Sequence, residues 1–383
     1  MRPLLTLCMI VRDEAHGIAR TLQSAKPWID RWCILDTGST DGTPEIVEQE
    51  LEDLTGDLHR APFADFATSR NHLLALARDE QERGYAEHPT PFLLLLDADD
   101  ILEGGETLRA WLTAEIDEAR AEPEPDREAF FVRTRLGSTT FGSARVVRAS
   151  AVFDERGIGW HYEGAVHEVL VHPSGRAPTI TIPGVTIQHK RQPESEERTR
   201  ARWERDARLL QAEVRLDPNN ARARFYLART YQALGKRGLA RAEFESRIRL
   251  GGWREEVFLS ILDRARCCDG GRQIAAFLDA AAFAPHRAEP LIELSNIYRN
   301  RGAHRLAFMF AREAHRLPMP DDVLFVDADA HGWAAADCVA ISAWYCGEHE
   351  IGHAAAREAL DKCPPGHRER CARTLDFYES KTP

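Results

Sequence analysis

The stretch Phe92-Leu93-Leu94-Leu95-Leu96-Asp97-Ala98-Asp99-Asp100 decides the fold of the first half of the chain. Four consecutive leucines show neither a helical period nor alternation, and the run is short, starting just after Pro91. That pattern predicts a strand buried on both faces, as in a parallel sheet. Three carboxylates follow it directly and belong at the carboxyl end of the strand, where open α/β sheets place ligands. Carboxylates so close together repel unless a cation sits among them. Hard oxygen donors suit Mg²⁺ or Mn²⁺, ions that bridge to substrate phosphates. The stretch is therefore read as a metal–diphosphate site at a strand end. The tripeptide alone is weak evidence, because it recurs as Asp327-Ala328-Asp329 in a region that otherwise reads as helical.

Working outward, Leu4 to Val11 reads as another buried strand, followed by Arg12, Asp13 and Glu14 and a helix from His16 to Lys26. Trp32 to Leu35 is a short strand leading into Asp36-Thr37-Gly38-Ser39-Thr40-Asp41-Gly42-Thr43, a polar glycine-containing turn before a helix that starts at Pro44. A strand, a Gly/Ser/Asp loop and a helix N-terminus suit a nucleotide, although a well-formed turn would use the same residues. Asp65 to Asn71 opens a further helix running to about Glu82, in which Arg70 could meet a phosphate or a base carbonyl. Residues 104–121 read as helix, 122–126 as a polar loop, and Phe130–Arg135 and Ala144–Val147 as strands. Trp160 to Glu168 gathers two histidines, two acids and two aromatics, and Val185 to Arg191 ends a strand on His189 and two cations. The alternation predicts one α/β domain of roughly 190 residues.

After Glu194 the strands give way to long stretches rich in Arg, Ala, Glu and Leu. Helix breaks recur at Pro218, Gly252, Pro285 and Pro318, 33 or 34 residues apart. Phe225-Tyr226-Leu227-Ala228-Arg229-Thr230-Tyr231-Gln232-Ala233-Leu234-Gly235 then Ala240, and Leu291 to Arg299 then Gly302, fit a helix–turn–helix repeat of the tetratricopeptide kind. A last, longer unit from Asp337 to Leu360 would cap the stack. The chain is therefore divided into an α/β domain, 1–192, and a helical connector with repeats, 193–383.

Composition limits the function. A net charge of −11 excludes a protein that coats nucleic acid over its whole surface. The charge is uneven: Gln188 to Leu250 holds sixteen Lys or Arg against nine Asp or Glu, either a solvated helical face or one turned to an anionic ligand. The eight cysteines contain no Cys-x-x-Cys pair, and neither a zinc spacing nor a disulfide framework is legible, which fits a reduced, cytoplasmic setting. No signal peptide and no membrane span of ~20 apolar residues is expected.

Taken in order, Leu7–Glu14, Leu35–Thr43, Asp65–Asn71 and Leu96–Asp99 resemble the motifs of family 2 glycosyltransferases of the GT-A fold. With the repeats, Gly164–Glu168, His189 and Arg215-Leu216-Asp217-Pro218-Asn219, the whole chain resembles the bacterial group that includes the sublancin-type peptide S-glycosyltransferase. Arg12-Asp13-Glu14 departs from that pattern, where relatives often carry an aromatic residue or Lys before Asn-Glu.

The resemblance implies a Rossmann-like nucleotide-sugar-binding domain and a divalent ion, Mn²⁺ or Mg²⁺. It implies that Asp36, the segment Val11, Arg12 and Glu14, and Arg70 contact the nucleotide. Asp97 and Ala98 would lie by the ribose, and Asp99, Asp97 and His189 by the metal. Glu168 would be the general base, with His167 as base and Glu168 orienting it as the alternative. The donor expected is a UDP-sugar. The acceptor expected is a peptide or protein side chain first, an envelope glycan or lipid second. A homodimer is allowed by exposed repeat ends. The rival reading is a degenerate nucleotide-binding domain carried by a tetratricopeptide scaffold for protein interaction.

Overall fold

The computed structural model describes residues 3–80, 90–121, 127–153, 157–164, 166–175, 177–178, 180–190 and 196–381, with side chains omitted for 119–121 and 381. The loop expected at 122–126, the junction at 192/193 and Ala165 lie outside the described residues. The chain divides into two compact units, one of residues 1–136 with 141–194, the other of 195–383 with 137–140.

The first unit runs β1 (Leu5–Val11), α1 (Ile18–Ala25), β2 (Arg31–Asp36), α2 (Thr43–Glu50), β3 (Thr55–Arg60), α3 (Phe66–Asp79), β4 (Phe92–Leu95), β5 (Asp100–Glu103) and α4 (Gly105–Ala121). It continues with β6 (Ala129–Leu136), β7 (Thr139–Arg148), β8 (His161–Glu163), β9 (Val169–Val171) and β10 (Thr181–His189). The main sheet has the order β3-β2-β1-β4-β7-β6-β10-β5, and β8 pairs separately with β9. β1, β2, β3 and β4 are parallel. β4 meets β7, and β10 meets β5, in antiparallel fashion.

The leucine run behaves as its pattern demands. Phe92, Leu94 and Leu96 enter one core cluster with Ile18, Leu22 and Leu112, while Leu93 and Leu95 enter another with Leu73, Leu74 and Ala77. β4 is thus buried on both faces between helices. Because β2 and β3 succeed β1 on one side and β4 follows on the other, the strand order reverses at the β1/β4 boundary. Such a switch point opens a crevice at the carboxyl ends of the strands.

Several strands depart from the reading of the sequence. Thr55–Arg60 is an edge strand of mixed exposure, too polar to announce itself. β7 starts five residues before Ala144. Asp100, the last of the three carboxylates, is not in a loop but begins β5, which pairs with β10 so that Asp100 stands opposite His189.

The second unit is a series of antiparallel helices. After α5 (Glu196–Leu216) come the hairpins α6 (Ala221–Ala233) with α7 (Arg237–Leu250), α8 (Arg254–Arg266) with α9 (Gly270–Phe283), and α10 (Glu289–Asn300) with α11 (His304–Arg316). Pro218, Gly252, Pro285 and Pro318 all fall between helices, as the repeat period requires. Phe244 and Phe277 occupy equivalent, fully buried places in successive repeats. The short strand β11 (Val326–Asp327) pairs with Thr139 and Thr140. α12 (Trp333–Trp344), α13 (His349–Lys362) and α14 (Arg368–Lys381) follow. The second Asp-Ala-Asp copy lies on and just after β11, where the backbone N–H of Asp327 donates to Glu289 at 3.1 Å. Among the described residues, none of its carboxylates belongs to a metal-ligand cluster.

Candidate active site

Two loops at the carboxyl ends of β1 and β2 are laced together by their own side chains. The Asp13 N–H donates to Ser39 Oγ at 3.0 Å, and Thr40 N–H donates back to Asp13 Oδ1 at 2.8 Å. The Glu14 N–H donates to Thr43 Oγ1 at 2.8 Å. Asp13 adopts φ 54°, and Gly38 and Gly42 adopt φ 107° and 87°, so the crossing relies on left-handed backbone at three places. Within this frame Asp36 is buried. Its Oδ1 accepts the Ser39 N–H at 3.0 Å, and among the described residues Oδ2 has no protein partner. The Val11 carbonyl is already engaged by the Thr37 N–H and hydroxyl, whereas Arg12 is exposed.

The turn after β4 carries the acid cluster. Asp100 N–H donates to the Asp97 carbonyl at 3.1 Å, and Asp97 N–H donates to Asp100 Oδ2 at 2.9 Å. The Ala98 carbonyl accepts from Thr21 Oγ1 of α1 at 2.7 Å, and the Asp99 carbonyl from the Lys190 N–H at 2.9 Å. Four hydrogen bonds therefore hold the turn, and each uses at least one backbone atom of the turn itself.

Arg70 and Arg145 grip Asp97 from both sides. Arg70 Nη2 donates to Asp97 Oδ1, and Arg145 Nη2 donates to Asp97 Oδ2 at 2.8 Å while standing 3.4 Å from Asp100 Oδ2. Burial would raise the Asp97 carboxyl, but Arg145 and Arg70 hold it far below the usual carboxylate range. The repulsion inferred from sequence is thus met for Asp97 by two guanidinium groups. Sequence reasoning did not include Arg145 in the site. Its signal was an arginine inside the apolar strand Ala144–Val147, where a buried cation must have a partner.

Asp99 is left in a different state. Burial pushes its carboxyl up, His189 opposes that, and Asp100 and Asp97 add to it. His189 Nδ1 lies 2.9 Å from Asp100 Oδ1 and 3.4 Å from Asp99 Oδ1. Its hydrogen bond to Asp100 raises the imidazole against the effect of burial. Nε2 has no protein partner among the described residues. Asp97, Asp100 and His189 bring ligand atoms within 4.8 Å of one another. A histidine backed by a carboxylate, beside another carboxylate that lacks a guanidinium, is a donor set that fits a hard or borderline divalent ion. Glu14 faces the same charge, being raised first by burial and then by Asp99.

Glu168 joins the cluster through Arg70, whose Nε donates to Glu168 Oε1 at 2.9 Å. Among the described residues Glu168 Oε2 has no protein partner. The guanidinium of Arg70 also lies 5.3 Å from the centre of the Tyr162 ring. The next residue fixes this arrangement: Asn71 Nδ2 donates to the Tyr162 carbonyl at 2.9 Å, and Tyr162 N–H donates to Asn71 Oδ1 at 2.7 Å. α3 is thereby docked onto β8, the strand that leads to Glu168. His167, between β8 and β9, adopts φ 55°. The structure thus gathers Arg70, Asp97, Asp99, Glu168 and His189, and adds Asp100, Arg145 and Tyr162, which the sequence reading had not assigned.

Comparison with known proteins agrees with this architecture. Residues 6–119 match the family described as Glycosyl transferase family 2. A TPR repeat-containing protein of Synechococcus elongatus is 29% identical over 332 residues, covering 81% of this chain and 74% of the relative. The SPbeta prophage-derived glycosyltransferase SunS of Bacillus subtilis is 22% identical over 237 residues, 61% of this chain, which spans about half (50%) of that relative. Among solved structures, MamA is similar over 48% of this chain and 99% of its own, with 17% identity and a TM-score of 0.33. No helix among the described residues is long and apolar enough to cross a membrane. The match to the family 2 glycosyl transferases therefore covers residues 6–119, within an α/β unit that is followed by a series of helical repeats.

Proposed function

We propose that this protein is an inverting glycosyltransferase that moves a sugar from a nucleotide sugar, a UDP-sugar first, to a peptide or protein side chain. The observation that carries the reading is the Asp99–His189–Asp100 group at the carboxyl end of β4, beside the Arg70–Asp97–Arg145 clamp. Asp99 and His189 would hold a Mn²⁺ or Mg²⁺ ion, with Asp100 orienting the imidazole. Such an ion supplies charge relief at the departing diphosphate. Asp97, expected to share in ligation, brings a ligand atom within 4.8 Å of those of Asp100 and His189, while each of its oxygens also accepts from an arginine. Besides that, it would hold two guanidinium groups where an anionic donor would meet them.

Asp36, with an oxygen left over, is the residue offered to the base or ribose. Inverting transfer is a single displacement. The acceptor atom bonds to the anomeric carbon as the bond to the diphosphate oxygen breaks, and the acceptor's proton passes to a base. Glu168 Oε2 is the base proposed, with His167 as the alternative. The SunS relative, a glycosyltransferase by its name, supports a transferase reading, and the expected peptide acceptor follows from the resemblance of the motifs. The domain division at 192/193, a homodimer and a cytoplasmic setting belong to the same proposal.

The test is a thermal-shift panel with UDP-, GDP-, CMP- and TDP-sugars, each with and without Mn²⁺. A ligand that binds only the native state stabilises it by about 2.7 kcal/mol at a hundred times its dissociation constant, so a true donor is detectable. A metal-dependent shift with one nucleotide supports the proposal. No shift with any of them would favour a degenerate domain serving a repeat scaffold, a reading kept alive by the Synechococcus relative being named for its repeats.

A further inference from the structure

Away from the Asp99 group, a second set of metal-ligating side chains sits where the edge strand β3 meets the end of α3. Cys33 of β2, His59 of β3 and Glu80 at the C-terminus of α3 each present one ligand atom, all within 4.8 Å of one another. The topology makes this set. In the parallel β2/β3 register Cys33 stands opposite Asp57 and Leu35 opposite His59, so Cys33, Asp57 and His59 share one face of the sheet. Cys33 belongs to the cluster formed with Leu73, Leu74 and Ala77 of α3, which fixes that face as the one α3 covers. α3 then delivers Glu80 at its far end.

A plain reading exists for part of this. His59 Nε2 lies 2.6 Å from Glu80 Oε1, an ion pair that would tie an edge strand to a helix. It does not account for the rest. Glu80 Oε2 is buried, and apart from the Cys33 thiol, which bears on the same carboxyl as a weak hydrogen-bond donor, it has no partner among the described residues. A buried thiol stands within reach of both partners, and exposed Asp57 adds negative charge to the same place. Native proteins seldom leave a buried carboxylate oxygen unpaired. Thiolate, imidazole and carboxylate at one point are donors that Zn²⁺ accepts together.

We propose that Cys33, His59 and Glu80 form a Zn²⁺ site, completed by water, that fastens β3 to the end of α3. Tetrahedral zinc with bonds of ~2.0–2.3 Å sets donors ~3.5 Å apart, so the His59–Glu80 pair, now at 2.6 Å, would open by about 1 Å and no pair would have to close by more than about 1.3 Å. Binding replaces the thiol proton, which leaves to solvent, by the metal. The cysteines show no zinc spacing in the sequence because the donors come from three separate elements.

The full-length chain, stripped with a chelator, reloaded with Zn²⁺ and desalted, is expected to retain one equivalent that resists washing. Cys33→Ser and His59→Gln should lose it, and Asp99→Asn should keep it. With Co²⁺ in place of Zn²⁺ the wild type should show a thiolate-to-metal charge-transfer band that is absent in Cys33→Ser. His59 lies half-exposed on an edge strand, so His59→Gln keeps the test open if burial makes Cys33→Ser misfold. Circular dichroism of each variant checks this. Zinc lost in Asp99→Asn but kept in His59→Gln, or no thiolate band in folded wild type, would overturn the proposal.

Discussion

Arg70 Nε and Glu168 Oε1 stand 2.9 Å apart although 98 residues separate them in the chain. The same guanidinium reaches Asp97. One side chain therefore links the acid at the end of β4 to the acid proposed as base, and the two cannot be perturbed independently.

Glu168→Gln keeps a group that accepts from Arg70 but removes a proton acceptor. Turnover of donor and acceptor should fall by about 10²–10⁴-fold while the metal-dependent thermal shift with the nucleotide survives. Retention of turnover within about threefold would move the base role to His167, and His167→Gln would then show the larger loss.

Asp97→Asn and Asp99→Asn should separate cleanly. Asp97 pairs with two largely buried arginines, so Asp97→Asn leaves both under-compensated and should cost about 3–5 kcal/mol of stability, read as a lower urea midpoint. Asp99 meets no arginine within ion-pair distance among the described residues. Asp99→Asn should leave the urea midpoint almost unchanged and abolish the Mn²⁺-dependent part of the nucleotide shift. The opposite pattern would assign ligation to Asp97.

Glu289 gives the helical unit an acid-sensitive point. Burial alone would raise its carboxyl, but His331, whose Nε2 lies 3.5 Å away, and Arg287, which donates at 2.6 Å, hold it well below the ordinary range. A depressed carboxyl contributes stability in full above its unfolded value, near pH 4.5, and loses it as pH falls towards the folded value. Wild type should therefore exceed Glu289→Gln in stability at pH 7, and the gap should narrow steadily below about pH 4.5. A gap that is constant between pH 7 and pH 3 would contradict this.

Phe244→Ala and Phe277→Ala test the repeat equivalence. Both rings are fully buried. Each truncation should cost about 3–5 kcal/mol of local stability, seen as lost protection of amides in its own hairpin rather than throughout the chain. Unequal losses differing by more than about 2 kcal/mol would mean that the two places are not equivalent.

What the sequence disclosed followed from patterns with a strong physical period. Phe92–Leu96 could only be a strand with two buried faces, and proline and glycine at intervals of 33–34 could only punctuate helical pairs. Thr55–Arg60 escaped because an edge strand needs no apolar alternation, and its polar residues share its backbone pairing with Trp32 to Asp36. Asp100 was read with its neighbours because three adjacent acids look alike in one dimension. Only the return of β5 alongside β10 sets it against His189 and apart from Asp99. Arg145 was legible as an anomaly, a cation amid Ala144, Val146 and Val147, but its partner could not be named without the β4/β7 register that sets Val146 opposite Leu94. Glu80 and His59, 21 residues apart, carry no motif at all.

The 33-residue period of the helical unit has a consequence for how this chain comes apart. Each hairpin leans chiefly on its neighbours, so amide protons there should exchange along a gradient, slowest in the hairpins packed on both sides. The sheet of the first unit offers no such gradient. β4 shares both its faces with helices and both its edges with strands, and its amides should open only when that whole unit does.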